Sequence, residues 1–370
     1  MVAHQMNPLF GERTMNQENT MACKTPAVEL GFHCSNGPVD KIIEDLISSA
    51  GGIRRPAIVR ELILAALKAG QEDDGKFDIK LMNTALKEMR YTAKVFGPYR
   101  HKHKVTVFGS ARTPETEPLY RMARQLGREL MVAGYMVITG GGPGIMQAVN
   151  EGAGPQNSFG VNIRLPFEQK PNPVLQGNPR NILYKYFFNR KVAFLKEAHA
   201  VVLFPGGFGT LDEAMETLTL VQTGKHDPIP LVLIDEPGGF YWDRWFAFLE
   251  QHLAKTGAID EADLGLFHRV DTTAAAVAEI RQFYRRYHSL RYVGDQLAMR
   301  LTRSLDTAEA SRLKKRFTDI LVSGGSIAPS GPLPIEAEEN DVVDLPRLVI
   351  DFNRSSFGRL REFIDAVNRI

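Results

Sequence analysis

Two glycine-rich turns carry most of the chemistry this 370-residue sequence can offer. The first, Thr139-Gly-Gly-Gly-Pro-Gly-Ile-Met146, lies between an apolar run ending at Ile138 and a helical pattern. Glycines at Gly141, Gly142 and Gly144 let backbone approach a ligand closely, and the N–H groups at the start of the next helix attract an anion. The spacing fails the dinucleotide fingerprint: with Gly140 and Gly142 as the first two glycines, Ile145 stands where the third is required. No Gly-Lys-Ser/Thr follows, so the turn is not a Walker loop either. The second turn, Pro205-Gly-Gly-Phe-Gly-Thr-Leu-Asp-Glu213, again joins an apolar strand to a helix. In an open α/β sheet both turns face the carboxyl edge, so one anion, most simply a phosphate, is the expected common ligand.

Within the second turn, Thr210 and Glu213 have capping-box spacing, in which hydroxyl and carboxylate satisfy orphan N–H groups at a helix start. The other reading keeps Glu213 free as a carboxylate beside a bound anion. A third feature is the stretch from Tyr186 to Lys196. At about 100° per residue, Phe187, Phe188, Val192, Phe194 and Leu195 form one apolar arc with Lys191 inside it and Arg190 at its border. These cations either snorkel along apolar surface or reach the crevice to meet a phosphate or carboxylate.

The elements that position these residues follow from hydrophobic periodicity. Helix-like spacing covers residues 40–49, 56–69 and 78–94. From Val105 the chain alternates strand, turn and helix. The first strand is Val105-Thr-Val-Phe-Gly109, and a helix follows with Leu119, Met122, Ala123, Leu126 and Leu130 on one face. Further strands are expected at 135–138, 159–163, 200–204 and 230–234. Such βαβ repetition predicts an α/β fold: a Rossmann-like parallel sheet with helices on both faces. The expected organisation is a flexible tail over 1–25, a helical N-terminal segment over 26–100, the Rossmann-like domain over 101–288 and an α-rich C-terminal extension over 289–370. In that extension helices are expected at 290–303 and 306–321, a Gly/Ser/Pro-rich and acidic linker at 323–341, a strand-like run at 347–352 and a final helix.

Composition narrows the functional classes. Forty-five Lys plus Arg against 43 Asp plus Glu give a net charge of +2, so no nucleic-acid partner is expected despite local clusters such as Arg312 to Arg316. Only two cysteines, Cys23 and Cys34, occur, which supports neither a disulfide framework nor a cysteine zinc site. A cytoplasmic location is expected, with no secretory signal in the polar N-terminus and no membrane-spanning run.

The pairing of Gly140-Gly-Gly-Pro-Gly-Ile-Met146, Arg190-Lys191 and the PGGxGTxxE motif at Pro205 to Glu213 resembles the LOG (Lonely Guy) family, often labelled lysine decarboxylases. The likeness covers about residues 105–254. The resemblance implies a hydrolase, a phosphoribohydrolase that splits nucleoside 5′-monophosphates, including plant cytokinin nucleotides, into base and ribose 5-phosphate. It implies Arg190 and Glu213 as catalytic residues and Gly206, Gly207, Gly209 and Thr210 as the phosphate-binding turn. It also matches Gly141, Gly142 and Gly144 to a second substrate-binding turn, with Lys191 binding phosphate or packing. The expected substrate is an AMP-like, purine nucleotide, with no cofactor or metal, no membrane partner and a homo-oligomeric assembly. Short plant-type members have Met-His-Glu-Arg-Lys where this chain has Phe187-Phe-Asn-Arg-Lys191; this form and Leu165-Pro-Phe-Glu-Gln169 resemble a bacterial branch. Residues beside the arginine are expected to line the base pocket. The alternatives are a nucleotide sensor or carrier without hydrolysis, and a pyridoxal-phosphate decarboxylase that would need a cofactor lysine.

Overall fold

Parallel strands covered by helices on both sides are recognisable as near-continuous apolar runs, and the centre of this protein is built from four of them, with Lys104, Thr106 and Thr139 as their polar members. The computed structural model describes residues 36–72, 75–166, 170–334 and 342–370. Cys23, Cys34, the expected tail, Phe167 to Gln169 and 335–341 of the expected linker lie outside the described residues. The chain divides into two compact units, residues 1–80 and 81–370.

In the first unit, α1 (Pro38–Ala50) and α2 (Pro56–Glu72) each begin on a proline, whose missing N–H costs nothing at a helix start. Asp40 accepts a hydrogen bond from the Asn36 N–H at 2.8 Å and pairs with Arg60 of α2 at 2.6 Å. The third expected helix is α3 (Lys76–Phe96), which ends in the second unit.

The second unit runs β1 (Lys104–Phe108), α4 (Pro118–Val132), β2 (Met136–Thr139), α5 (Ile145–Ala153), β3 (Ser158–Ile163), β4 (Asn181–Tyr184), α6 (Phe187–Lys196) and β5 (Ala200–Leu203). It continues with α7 (Phe208–Gln222), β6 (Leu231–Ile234), α8 (Tyr241–Phe248), β7 (His268–Val270) and α9 (Thr273–Phe283). All seven strands are parallel, in the order β4-β3-β2-β1-β5-β6-β7. The Rossmann-like class is therefore as expected. Every residue of β1, β2, β5 and β6 is buried. Val105 and Val107 join one core layer with Leu126, Leu130, Val149 and Ile280 from α4, α5 and α9. Phe108, Ile138 and Leu203 join the other with Phe194, Ala214 and Trp242 from α6, α7 and α8.

The C-terminal extension differs from expectation. It contains the expected helices as α10 (Thr307–Arg316) and α11 (Phe357–Arg369), but residues 290–303 form no helix. They lie in a hairpin of β8 (Tyr287–Val293) and β9 (Gln296–Leu301), whose two-residue turn has Gly294 at φ 59°. With β10 (Ile327–Ser330) and β11 (Arg347–Ile350) they make a four-stranded antiparallel sheet in the order β10-β11-β9-β8. Leu297, Met299, Leu348 and Ile350 pack under Leu313, Leu360, Phe363 and Val367, a core that a lone helix at 290–303 would not complete.

Candidate active site

β1 has β2 on one side and β5 on the other, so the chain reverses its direction across the sheet there. Loops leaving adjacent strands toward opposite faces open a crevice at the carboxyl ends. Here the Ser110 N–H after β1 donates to Pro205 O after β5 at 3.1 Å, and a cavity of about 760 Å³ opens above this joint. Its walls include Ser110, Arg112, Phe187, Arg190 and the 206–213 turn.

Helix α7 begins at Phe208 with Gly207 as its cap residue, earlier than the capping-box reading required. Thr210 is thus the third helical residue. No side chain caps α7, and the Thr210 and Leu211 N–H groups both bond Gly207 O, at 3.0 and 3.2 Å. The Phe208 and Gly209 N–H groups, as the first two of the helix, have no intrahelical acceptor and carry the positive end of the helix dipole. A Cβ at Gly207 or Gly209 would meet open space, whereas one at Gly206 would stand 2.1 Å from Thr210 Oγ1. Gly206 and Thr210 therefore interlock beneath a turn whose outer side is free.

Without a capping role, Glu213 turns inward. It is 5% exposed, and its Oε2 has no hydrogen-bond partner among the described residues. Burial pushes its carboxyl up to about 7, and Glu216 and Asp212 push the same way; Lys191 and Arg190 pull it down. Buried carboxyls tuned toward neutrality are frequent in acid-base sites.

Arg190 is fixed from three sides. Its Nε donates to Val161 O at 2.9 Å, its guanidinium lies 5.0 Å from the Phe194 ring centre, and a Cβ on Gly140 would stand 2.6 Å from Nη2. Gly140 thus lets the guanidinium lie against the backbone. Burial lowers the Arg190 pKa and the nearby Glu213 charge opposes that shift.

The other expected residues divide. Gly206, Gly207, Gly209 and Thr210 line the crevice with Arg190 and Glu213, but Gly141, Gly142 and Gly144 do not. Gly141 donates to Thr139 Oγ1 at 3.0 Å and accepts from the Asn172 N–H at 2.9 Å, and Gly142 O accepts from Asn172 Nδ2 at 3.2 Å. At Gly144, with φ 67°, a Cβ would lie 2.3 Å from Ser110 O, which already takes the Ile145 N–H at 3.0 Å. These three glycines build the corner behind the crevice, and Met146 of α5 reaches its wall.

Lys191 also lies off the crevice. Its ammonium sits 2.6 Å from Glu216, 2.8 Å from Asp212 and 3.5 Å from Glu213. Burial opposes its charge, but hydrogen bonds to Asp212 and Glu216 more than offset this and raise its pKa. Of the residues before the arginine, only Phe187 lines the cavity. Phe188 stacks on Tyr186 at 5.5 Å, and Asn189 is buried with Nδ2 donating to Glu88 Oε2 at 2.7 Å and Ala85 O at 3.3 Å. Glu88 also accepts the Lys185 N–H at 2.6 Å, so α3 braces the start of α6. The polar part of the Phe-Phe-Asn stretch is therefore a brace, because a helix turns Asn189 away from the side that carries Phe187.

Periodicity did not reveal the 109–112 loop, Asn172 or Glu88. The signal for the loop was present: Gly-Ser-Ala-Arg112 directly follows β1, the strand beside the switch point. Among the described residues no three His, Cys, Asp or Glu side chains gather as a metal site, and no helix is long and apolar enough to cross a membrane.

Fold and crevice define a Rossmann-like α/β protein with an anion-attracting helix end beside a buried carboxyl and a guanidinium. A family described as "Possible lysine decarboxylase" matches residues 145–280. The chain is 29% identical over 191 residues to the cytokinin riboside 5′-monophosphate phosphoribohydrolase LOG of Oryza sativa subsp. japonica, covering 50% of this chain and 75% of that one. It is 30% identical over 141 residues to the pyrimidine/purine nucleotide 5′-monophosphate nucleosidase of Escherichia coli (strain K12), covering 35% of this chain and 30% of that one. Among solved structures, the molybdenum cofactor carrier protein of Chlamydomonas reinhardtii matches at 22% identity and TM-score 0.35, covering 49% of this chain and 97% of that one. Over part of its length, including the family match at residues 145–280, the chain is thus similar to LOG-type phosphoribohydrolases.

Proposed function

We propose that the protein hydrolyses the N-glycosidic bond of nucleoside 5′-monophosphates, adding water to release free base and ribose 5-phosphate. The observation that carries this reading is the meeting of Arg190 and Glu213 in one crevice with the unpaired amide end of α7. Gly207, Gly209 and Thr210 hold the 5′-phosphate at the helix start, and that remote binding positions the ribose. Glycosidic cleavage develops positive charge on the sugar, so the Glu213 carboxylate stabilises the oxocarbenium-like state and orients water, while Arg190 orients nucleotide and carboxylate. Phe187 and Phe208, 54% and 94% exposed on the crevice lining, offer flat apolar faces to the base. Stacking grows with ring area, which favours purines.

The two curated relatives named above, both acting on nucleotide 5′-monophosphates by their names, support this class. The decarboxylase reading lacks its central group: the lysine next to the site, Lys191, is held by three carboxylates and does not face the crevice. A cytoplasmic homo-oligomer is the expected working form, with no nucleic-acid or membrane partner; Val192 of α6 and Met215 of α7 leave apolar surface for a second copy.

The test is incubation with AMP, GMP, IMP, CMP, UMP, adenosine and ATP, with base and ribose 5-phosphate followed by chromatography. Release from monophosphates but not from adenosine is expected. Tight binding without release from any of them would replace this reading with the sensor or carrier.

A further inference from the structure

Lys191 is adjacent to Arg190 in sequence, yet the two cations face different groups. Arg190 lines the crevice, while the Lys191 ammonium lies behind it, among three carboxylates spaced along one side of α7. Residues at i, i+1 and i+4 on a helix can reach one point only if the cation sits over that side, and the distances of 2.8, 3.5 and 2.6 Å to Asp212, Glu213 and Glu216 show that it does. A substrate phosphate bound at the α7 amide end would have to draw this ammonium away from all three. Glu213 is the buried member of the trio, with its side chain 6% exposed against 59% for Asp212 and 29% for Glu216. Its Oε2, the atom facing Lys191, accepts no hydrogen bond among the described residues. A desolvated carboxylate without hydrogen bonds depends on neighbouring charge to stay ionised.

We propose that Lys191 is a positioning residue that acts on Glu213 rather than on substrate, holding its carboxyl in the charged, catalytically competent form. The proposal deepens the hydrolase reading and rests on it for the role of Glu213. The charges facing Glu213 come from α6 and α7: Lys191 and Arg190 favour its ionised form, while Asp212 and Glu216 oppose it. Arg112 on the crevice rim is the further cation lining the same cavity. Asp212 and Glu216 thus do two opposed things: they hold the lysine in place and they repel the carboxylate it serves.

The experiment is the pH dependence of kcat and KM for wild type, Lys191→Met, Lys191→Arg and Glu216→Gln. Loss of the nearest cation should move the acidic limb of Lys191→Met to higher pH by roughly one unit, which is about a tenfold loss of kcat at low pH recovered at high pH, with KM unchanged. Lys191→Arg restores the limb, and Glu216→Gln, which removes a like charge, moves it to lower pH. A raised KM with an unmoved limb would make Lys191 a phosphate ligand, and an equal loss at every pH would make it a packing residue; either result overturns the proposal. A second readout is independent of turnover: ¹³C NMR titration of the Glu213 carboxyl, assigned as the signal missing in Glu213→Gln. If no nucleotide is hydrolysed, the hydrolase reading fails. The titration still decides the role of Lys191, since an unchanged Glu213 midpoint in Lys191→Met refutes it.

Discussion

Glu213→Gln should stabilise the protein at neutral and alkaline pH while abolishing turnover. The folded carboxyl titrates at about 7 against 4.5 for the free side chain. Below the unfolded value both states hold the proton, and Glu213 contributes no difference. Between the two values the folded state keeps a proton that the unfolded state has released, so stability falls as pH rises. Above the folded value the cost is constant. At about 1.4 kcal/mol per unit, the full gap corresponds to about 3 kcal/mol, undiluted by solvent because Glu213 is 5% exposed. Glutamine has nearly the same shape and no charge to desolvate. Urea unfolding followed by the fluorescence of Trp242 and Trp245, both in the α8 layer, should give nearly equal midpoints for the two proteins at about pH 4 and a clearly higher midpoint for the variant at about pH 8.5. A variant less stable than wild type at the higher pH, or a difference of the same size at both, would refute a carboxyl held ionised against burial.

Two further predictions concern the groups that aim Arg190. Gly140→Ala places a Cβ 2.6 Å from the Arg190 guanidinium and 2.7 Å from Met146 Sδ, both ends of flexible side chains. The fold should therefore survive with a melting temperature within a few degrees of wild type, while kcat/KM falls by at least about tenfold from the displaced guanidinium. Glu88→Ala removes the acceptor of two bonds at the start of α6, to the Lys185 N–H and Asn189 Nδ2, and should cost about 2 kcal/mol of stability. Amide hydrogen exchange across residues 185–190 should quicken in that variant; unchanged protection would show that α6 does not need the brace.

The strand–turn–helix alternation was legible because buried parallel strands leave near-continuous apolar runs: 200–203 and 231–234 are unbroken, and 105–108 is interrupted only by Thr106. The 205–213 turn was legible for the same reason, since it follows one of them. The hairpin at 287–301 was not. Tyr287, Leu290, Leu297 and Leu301 fall on one face at about 100° per residue, and the deciding signals were the period-two run Leu297, Met299, Leu301 and the Gly294-Asp295 turn between two pairing segments. Residue types at the site were readable, but their directions were not. Lys191 lies inside an apolar arc on a helical wheel, yet its ammonium is claimed by carboxylates of α7, a neighbour fixed only by tertiary packing. Gly141 and Gly142 look like ligand-binding glycines until Asn172, some 30 residues away, takes their carbonyls. The capping-box spacing of Thr210 and Glu213 was real, but the helix began at Phe208 and left it unused.

The reversal between β1 and β5 divides labour within the crevice. The α7 end that would grip the phosphate belongs to β5, while the 109–112 loop belongs to β1 and Phe187 enters from α6. The phosphate anchor on α7 and the Phe187 face on α6 thus hang from separate segments, and the Ser110 to Pro205 backbone bond continues the β1–β5 pairing beneath them. Exchanging Phe187 or the residues of the first loop would retarget the pocket toward a different base and leave its grip on the sugar phosphate untouched. Under the proposed hydrolase reading, a scaffold wired in this way changes the base it accepts by changing one wall of the crevice.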